Sequence, residues 1–140
     1  MSDFVRSMPV LEVADVARSE IFYVERLGFS SHGAWGGETP LFCIVQRGAV
    51  TLALDRSRSP RTVPLNQYWA AYCYVSDADA LAAEFRGRGV EIARGPCDTE
   101  HGLREFDVRD PDGHVIAADA DTARTRPRRL SGVGRAPKGR

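Results

Sequence analysis

The stretch MPVLEVADVARSEIFYVERLGF at residues 8–29 has a counterpart in AAYCYVSDADALAAEFRGRGV at residues 70–90. Each begins with a short run of β-forming residues that ends in Val13 or Val75, and each has an aspartate two positions later. Aspartate is a preferred helix N-cap. About ten residues of helical pattern follow, and a glycine then ends each stretch before an apolar residue, as is common after helices. The sequence therefore predicts the same strand–helix unit twice.

Three stretches of β-forming residues follow each predicted helix. In chain order they cover about residues 29–35, 41–46, 50–55, 91–95, 104–109 and 114–119. Tight turns are predicted at Arg47-Gly48 and at Asp110-Pro111-Asp112-Gly113. The pattern predicts an α+β fold made of two tandem βαβββ modules, at about residues 8–55 and 68–119. Residues 1–121 then form a single domain, and the polar stretch 56–67 links the modules.

Charge is distributed unevenly along the chain. The 140 residues contain 19 basic and 19 acidic side chains. Residues 121–140 contain seven of the basic and one of the acidic side chains, a net of +6, which leaves −6 for the first 120 residues. An acidic body attracts cations and repels nucleic acid. We expect 122–140 to be a disordered basic tail that aids solubility, with a nucleic-acid-binding arm as the alternative.

Hydropathy and cysteine spacing indicate in which compartment the protein works. The chain has no apolar run of about 18 residues and no signal-peptide pattern. Its three cysteines, Cys43, Cys73 and Cys97, are odd in number and lack CxxC spacing, which favours free thiols. Cys97 is expected in a loop. We predict a cytoplasmic protein that has neither a membrane nor a nucleic acid as its partner.

Several motifs resemble the vicinal oxygen chelate superfamily, which includes glyoxalase I, extradiol dioxygenases and the bleomycin-resistance proteins. These motifs are Val13-Ala14-Asp15, Phe22-Tyr23, Leu27-Gly28-Phe29, Arg104-Glu105-Phe106 and Val108–Gly113. The similarity spans nearly all of residues 8–119. Within the superfamily the chain looks most like the bleomycin-resistance proteins, on the basis of Met8-Pro9-Val10-Leu11, Leu27-Gly28-Phe29 and residues 102–106. The resemblance implies two βαβββ modules whose sheets curl around a cleft.

The resemblance also implies where a metal would be held in the catalytic members. They use a His or Glu from the first and the fourth strand of each module. The corresponding positions in this chain are Met8, Ala53, Ala70 and Ala117. None of these side chains binds a divalent cation in the usual way, and the histidines have no ligand-like spacing. We therefore predict no metal, no cofactor and no catalytic residue, so that an enzyme is the less favoured interpretation.

The metal positions that the resemblance implies also indicate which face of each strand lines the cleft, because alternate side chains of a strand point to opposite faces. Leu11, Val13, Phe106 and Val108 are predicted to face the helices instead. The predicted ligand-binding residues are Trp35, Asp55, Trp69, Tyr72, Tyr74, His101, Glu105 and Asp107. Aromatic faces together with carboxylates suit a flat, cationic, partly apolar ligand.

Each of these assignments has a structural alternative. The tryptophans and tyrosines could pack in the core or at a dimer interface. The carboxylates could pair with Arg56, Arg104 or Arg109. Glu12 and Asp119 could lie in water at strand ends. Glu105 and Asp107 could also act as a general acid and base.

The sequence is compatible with three functions. The favoured one is a homodimeric binding protein that sequesters a cationic aromatic molecule such as a bleomycin-type antibiotic, which would give drug resistance. The second is a superfamily enzyme, a lyase, dioxygenase or transferase, with a non-standard metal site. The third is a structural or regulatory protein with a vestigial cleft and a basic tail that binds another partner.

Overall fold

The computed structural model describes residues 2–58 and 68–121, and it has the predicted order of elements. The first module consists of β1 (Val10–Val13), α1 (Val16–Ile21), β2 (Ser30–Trp35), β3 (Phe42–Arg47) and β4 (Val50–Arg56). The second consists of β5 (Trp69–Tyr74), α2 (Ala78–Gly87), β6 (Ile92–Asp98), β7 (Leu103–Arg109) and β8 (Val115–Asp121). The α+β class and the duplicated βαβββ unit are confirmed. Most of the predicted linker and the whole predicted tail, 122–140, lie outside the described residues.

Aspartate caps begin both helices. The Asp15 carboxylate accepts a hydrogen bond from the backbone N–H of Arg18, and the Asp77 carboxylate accepts one from Ala80. Such bonds satisfy backbone donors that the first turn of a helix leaves unpaired. α1 is short because the chain continues as a π-helical segment, Phe22–Arg26. The buried stripe of this helical region consists of Val16, Ser19, Tyr23 and Leu27.

Each module forms one four-stranded sheet. The strand orders are β1-β4-β3-β2 and β5-β8-β7-β6. The pairs β1–β4 and β5–β8 are parallel, and the other pairs are antiparallel. A parallel pair needs a long crossover connection, and the helix of each module lies within that connection. One face of each sheet is thereby covered by a helix.

The predicted alternation along the strands is confirmed on the helix-facing side. Leu11 and Val13 of β1 are buried, as are Phe106 and Val108 of β7. These side chains belong to one core cluster that includes residues of both modules. The two modules therefore share a hydrophobic core on their helix side.

Polar contacts also join the modules. The Tyr23 hydroxyl donates a 2.9 Å hydrogen bond to Asp110, and the backbone N–H of Ala14 donates a 3.0 Å bond to Asp112. Arg47 at the end of β3 forms two 3.0 Å hydrogen bonds with Glu84 of α2. The predicted turn after Val108 thus supplies two of the carboxylates that hold the modules together.

Some local predictions were wrong. The β3–β4 turn is formed by Gly48 and Ala49 and not by Arg47-Gly48, because Arg47 still pairs with Val50. Cys97 lies in β6 and not in a loop, since irregular pairing lets β6 continue along β7 as far as Asp98. All three cysteines are free. No helix within the described ranges has both the length and the apolar character that crossing a membrane requires.

Candidate functional site

Three aromatic side chains form a row along β5. The ring centroids of Trp69 and Tyr72 are 4.6 Å apart, and those of Tyr72 and Tyr74 are 5.7 Å apart. The pairing of β5 with β8 is irregular between Trp69 and Ala71, which brings Trp69 beside Tyr72. The row lies on the sheet face that α2 does not cover, and Tyr74 at its end is 78% exposed.

Three buried carboxylates accompany these rings. They belong to Glu105 and Asp107 of β7 and to Asp119 of β8. The Tyr72 hydroxyl donates a 2.8 Å hydrogen bond to Asp119, and the indole N–H of Trp69 donates a 3.2 Å bond to Asp107. Burial, followed by the hydrogen bond to Asp119, raises the pKa of Tyr72 above its usual value. Tyr72 therefore stays a hydrogen-bond donor at neutral pH.

One arginine pairs with two of these carboxylates. Arg94 Nε lies 2.8 Å from Asp107, and one terminal nitrogen of Arg94 lies 3.1 Å from Glu105 Oε1. The hydrogen bond to Asp107 raises the pKa of the Arg94 guanidinium. Glu105 Oε2 is buried and has no hydrogen-bond partner among the residues that the structure describes. Three carboxylates and one guanidinium give this group of four an excess negative charge.

A glycine allows the strands to approach closely at this point. Gly95 has a φ of +84°, and an added Cβ would lie 2.5 Å from the Glu105 carbonyl oxygen. A larger residue would push β6 away from β7. Gly95 therefore helps to place Arg94 over Glu105 and Asp107.

The three rings, the three carboxylates and the arginine together form one surface, which we call the acidic aromatic face. It consists of Trp69, Tyr72, Tyr74, Arg94, Glu105, Asp107 and Asp119.

The uncovered face of the first sheet is more apolar. Trp35 is 52% exposed, and its ring centroid lies 5.8 Å from that of Phe42. Val10 on β1 is 58% exposed. The Asp55 carboxylate, at the end of β4, lies 3.7 Å from a guanidinium nitrogen of Arg58. This face therefore offers exposed aromatic surface together with the carboxylates of Asp55 and Glu12, residues that are register partners across β1 and β4.

The structure distributes the predicted ligand-binding residues over three places. Trp69, Tyr72, Tyr74, Glu105 and Asp107 lie together on the acidic aromatic face, whereas Trp35 and Asp55 lie on the first sheet. His101 lies in the β6–β7 turn, where its backbone N–H donates to Thr99.

The structure corrects two of the alternatives that the sequence left open. Asp119 is not in water but is 1% exposed, because it lies inside β8 beneath Tyr72. Arg94 and Arg58 are the arginines that pair with the predicted carboxylates, whereas Arg104 pairs with Asp79 and Asp98. The sequence did not predict the ion pairs of Arg94. The pairing of β6 with β7 is irregular on both sides of Arg94, so strand alternation does not indicate which face its side chain lies on.

The structure describes all four of the positions that the resemblance implies for metal ligands. Met8 precedes β1, Ala53 and Ala117 are buried in β4 and β8, and Ala70 lies in β5 against the core. None of the four side chains has an oxygen or nitrogen donor for a hard divalent cation. Within residues 2–58 and 68–121, no three His, Cys, Asp or Glu side chains are grouped as a metal site.

Comparison with known families gives a match over most of the chain. The sequence pattern described as "Glyoxalase/Bleomycin resistance protein/Dioxygenase superfamily" matches residues 7–118. No match was found among proteins with curated functional descriptions.

Solved structures have the same fold. TioX from Micromonospora sp. ML1 is 24% identical, with a TM-score of 0.66 over 83% of this chain and 99% of that chain. TnmS3, an antibiotic binding protein from Streptomyces sp. CB03234, is 24% identical, with a TM-score of 0.65 over 86% and 99%. The bleomycin-binding protein from bleomycin-producing Streptomyces verticillus, complexed with copper(II)-bleomycin, is 28% identical, with a TM-score of 0.63 over 86% and 98%.

Proposed function

We propose that this chain, which belongs to the glyoxalase/bleomycin resistance protein/dioxygenase superfamily, is a metal-free protein that binds and sequesters a cationic aromatic molecule. A bleomycin-type antibiotic has this chemistry. Sequestration would give drug resistance without turnover, in the cytoplasm. The observation that carries the proposal is the acidic aromatic face, where three buried carboxylates adjoin a row of three rings.

The ring row and the carboxylates suit the same ligand. An extended aromatic ligand can stack on Trp69 or Tyr74, both of which retain exposed surface. A cationic group near the rings gains from cation–π attraction and from the excess of carboxylate charge. Arg94 neutralises one of the three carboxylate charges, and Glu105 Oε2 is buried without a hydrogen-bond partner among the described residues. A positively charged donor on the ligand would satisfy that oxygen once the side chains around it move aside.

A second copy of the chain would complete the site. Trp35, Val10, Trp69 and Tyr74 are between 43% and 78% exposed on the uncovered faces of the two sheets. Exposed apolar surface of this kind marks interaction sites. Pairing the first sheet of one protomer with the second sheet of its partner would cover both faces and enclose a ligand between them. We therefore propose a homodimer with two equivalent clefts.

The likeness to the bleomycin-binding protein from Streptomyces verticillus supports this assignment, because that protein binds copper(II)-bleomycin on the same fold. The absence of donor atoms at Met8, Ala53, Ala70 and Ala117 favours binding over the metal-dependent reactions of the superfamily.

Titration of the purified protein with a cationic bleomycin, followed by tryptophan fluorescence, tests the proposal. We expect a saturable change in emission, because Trp35 and Trp69 both lie on the faces that would close around the ligand. Light scattering should give the mass of a dimer. Removing the cationic terminal group from the drug should weaken binding. If no cationic aromatic drug in a panel changes the emission, the proposal is wrong.

A further inference from the structure

A separate cavity of about 310 Å³ lies on the helix side of the second sheet, between the two modules. Leu81 and Phe85 of α2 form one wall, and Phe106 and Val108 of β7 lie opposite. The β3–β4 turn of the first module lies at the cavity together with Leu27 and Phe29. The lining is mostly apolar and comes from both modules.

Several side chains around this cavity are less buried than their position on the sheet predicts. Cys73 and Val75 follow the helix-facing alternation of β5, yet both are only partly buried. Leu81 of α2 and Val50 of β4 are also partly buried although they pack against the core. Protein interiors are normally close-packed, so side chains in this position should have little exposed surface. The cavity leaves apolar surface that no part of the described chain covers.

The deep side of the cavity is closed, and the two charged side chains in its lining, Arg47 and Asp77, already have partners: the Asp77 carboxylate accepts the capping hydrogen bond from the backbone N–H of Ala80. Phe106 and Val108 are 0% and 1% exposed, and the rings of Phe85 and Phe106 meet edge-on at 5.9 Å. Arg47 forms two hydrogen bonds with Glu84 and donates a third, 2.8 Å long, to the carbonyl of Leu27. Its charge is therefore compensated, and the cavity offers little attraction to an anion.

We propose that this cavity is a second binding site, which takes a small, uncharged, mostly apolar molecule of about the size of two or three fused rings. Pockets for small ligands begin at roughly 300 Å³ and have mostly apolar walls. Apolar cavities of this kind stay dry and bind apolar molecules, whereas water needs polar partners. The cavity lies on the other face of β5 from the proposed cleft, because Cys73 lines it while its neighbour Tyr72 lies on the opposite face. Of the acidic aromatic face, Tyr74 at the end of β5 also lines the cavity.

Titration with the neutral fluorescent dye 1-aminoanthracene tests this proposal. Ala49 lies in the β3–β4 turn, is exposed and lines the cavity, whereas Ala80 is exposed on α2 and does not line it. We expect Ala49→Trp to weaken dye binding about tenfold by occupying the cavity, while Ala80→Trp changes it less than about twofold. Circular dichroism should show that both variants are folded.

The Cys73 thiol provides an independent readout of where the dye binds. Mass spectrometry follows the alkylation of Cys73 by N-ethylmaleimide with and without saturating dye. We expect dye to slow this reaction in the wild-type protein, because Cys73 lines the cavity. An unchanged rate at Cys73, or equal dye affinity in the two alanine variants, would overturn the proposal. Neither result depends on whether a cationic drug binds the acidic aromatic face.

Discussion

The Tyr72 hydroxyl donates a 2.8 Å hydrogen bond to the Asp119 carboxylate, across the parallel strands β5 and β8. Asp119 is 1% exposed, so its charge depends on such bonds for stabilisation. The ring of Tyr72 lies between those of Trp69 and Tyr74. One residue thus links the aromatic row to the buried carboxylates, which makes it the central residue of the acidic aromatic face.

Replacing Tyr72 with Phe should destabilise the protein. The change removes a donor from a buried carboxylate, and hydrogen bonds to charged groups contribute about 2 kcal/mol. We expect the free energy of unfolding in urea to fall by about this amount. Tyr74→Phe is the matched control, because Tyr74 is 78% exposed, and it should change stability by less than about 0.5 kcal/mol. Equal effects of the two changes would contradict the assigned role of Tyr72.

The contact between Tyr23 and Asp110 yields a second stability prediction. Both side chains are buried, and the 2.9 Å bond joins the first helical region to the turn between β7 and β8. Tyr23→Phe should lower the free energy of unfolding by about 2 kcal/mol. Because the bond connects the modules, hydrogen exchange should become faster in both of them. Faster exchange in the first module alone would show that the bond does not couple them.

The pairing of Glu84 with Arg47 predicts a pH dependence of stability. Hydrogen bonds from Arg47 lower the pKa of Glu84 below its ordinary value of 4.5. A carboxylate with a lowered pKa in the folded state contributes stability that is present above the unfolded pKa and disappears as pH falls through the folded pKa. The wild type should therefore be more stable than Glu84→Gln at pH 7, and the difference should shrink below about pH 4.5.

Urea unfolding of both proteins at several pH values measures this difference. Glu25→Gln is the control, because Glu25 has an exposed side chain on the first helical region. It should show a much smaller difference across the same range. A stability gap for Glu84→Gln that stays constant down to pH 3 would argue against the ion pair as its source.

Chelation gives a further prediction about the proposed cleft. Met8, Ala53, Ala70 and Ala117 carry no hard donor atoms, so ligand binding should not require a metal held by the protein. Prior treatment with a chelator, followed by titration with metal-free bleomycin, should change the affinity by less than about twofold. Near-stoichiometric metal in the purified protein, lost together with binding on chelation, would favour the enzyme interpretation.

Features set by local chemistry could be predicted from the sequence. Asp15 and Asp77 cap the two helices as expected, because an aspartate before a helical pattern has a strong local preference. The metal positions implied by the resemblance, together with the alternation of side chains along a strand, identified Leu11 and Val13 as the helix-facing side of β1. The duplicated order of elements followed from these signals and from the turn residues.

Features that depend on irregular pairing could not be predicted. Arg94 reaches Glu105 and Asp107 only because the pairing of β6 with β7 shifts on both sides of it. The burial of Asp119 depends on Tyr72 lying over it, which is a contact between residues 47 positions apart. The cavity around Cys73 results from how the two modules meet, and no short motif encodes that arrangement.

A substitution of Glu105 tests the proposed function most directly, because the proposal assigns this carboxylate to the binding of the ligand's cation. Its side chain is 6% exposed, its Oε1 pairs with Arg94, and its Oε2 is unpaired among the described residues. Glu105→Gln keeps the shape of the side chain and removes its charge. Glu100→Gln is the matched control, because Glu100 is exposed in the adjoining β6–β7 turn.

Isothermal titration calorimetry of a cationic bleomycin against these two variants and the wild type is the decisive measurement. We predict that Glu105→Gln weakens binding about tenfold, since loss of a charge-assisted contact costs about 1.4 kcal/mol. Glu100→Gln should bind like the wild type. Equal affinities for all three proteins would contradict the claim that the acidic aromatic face recognises the cation.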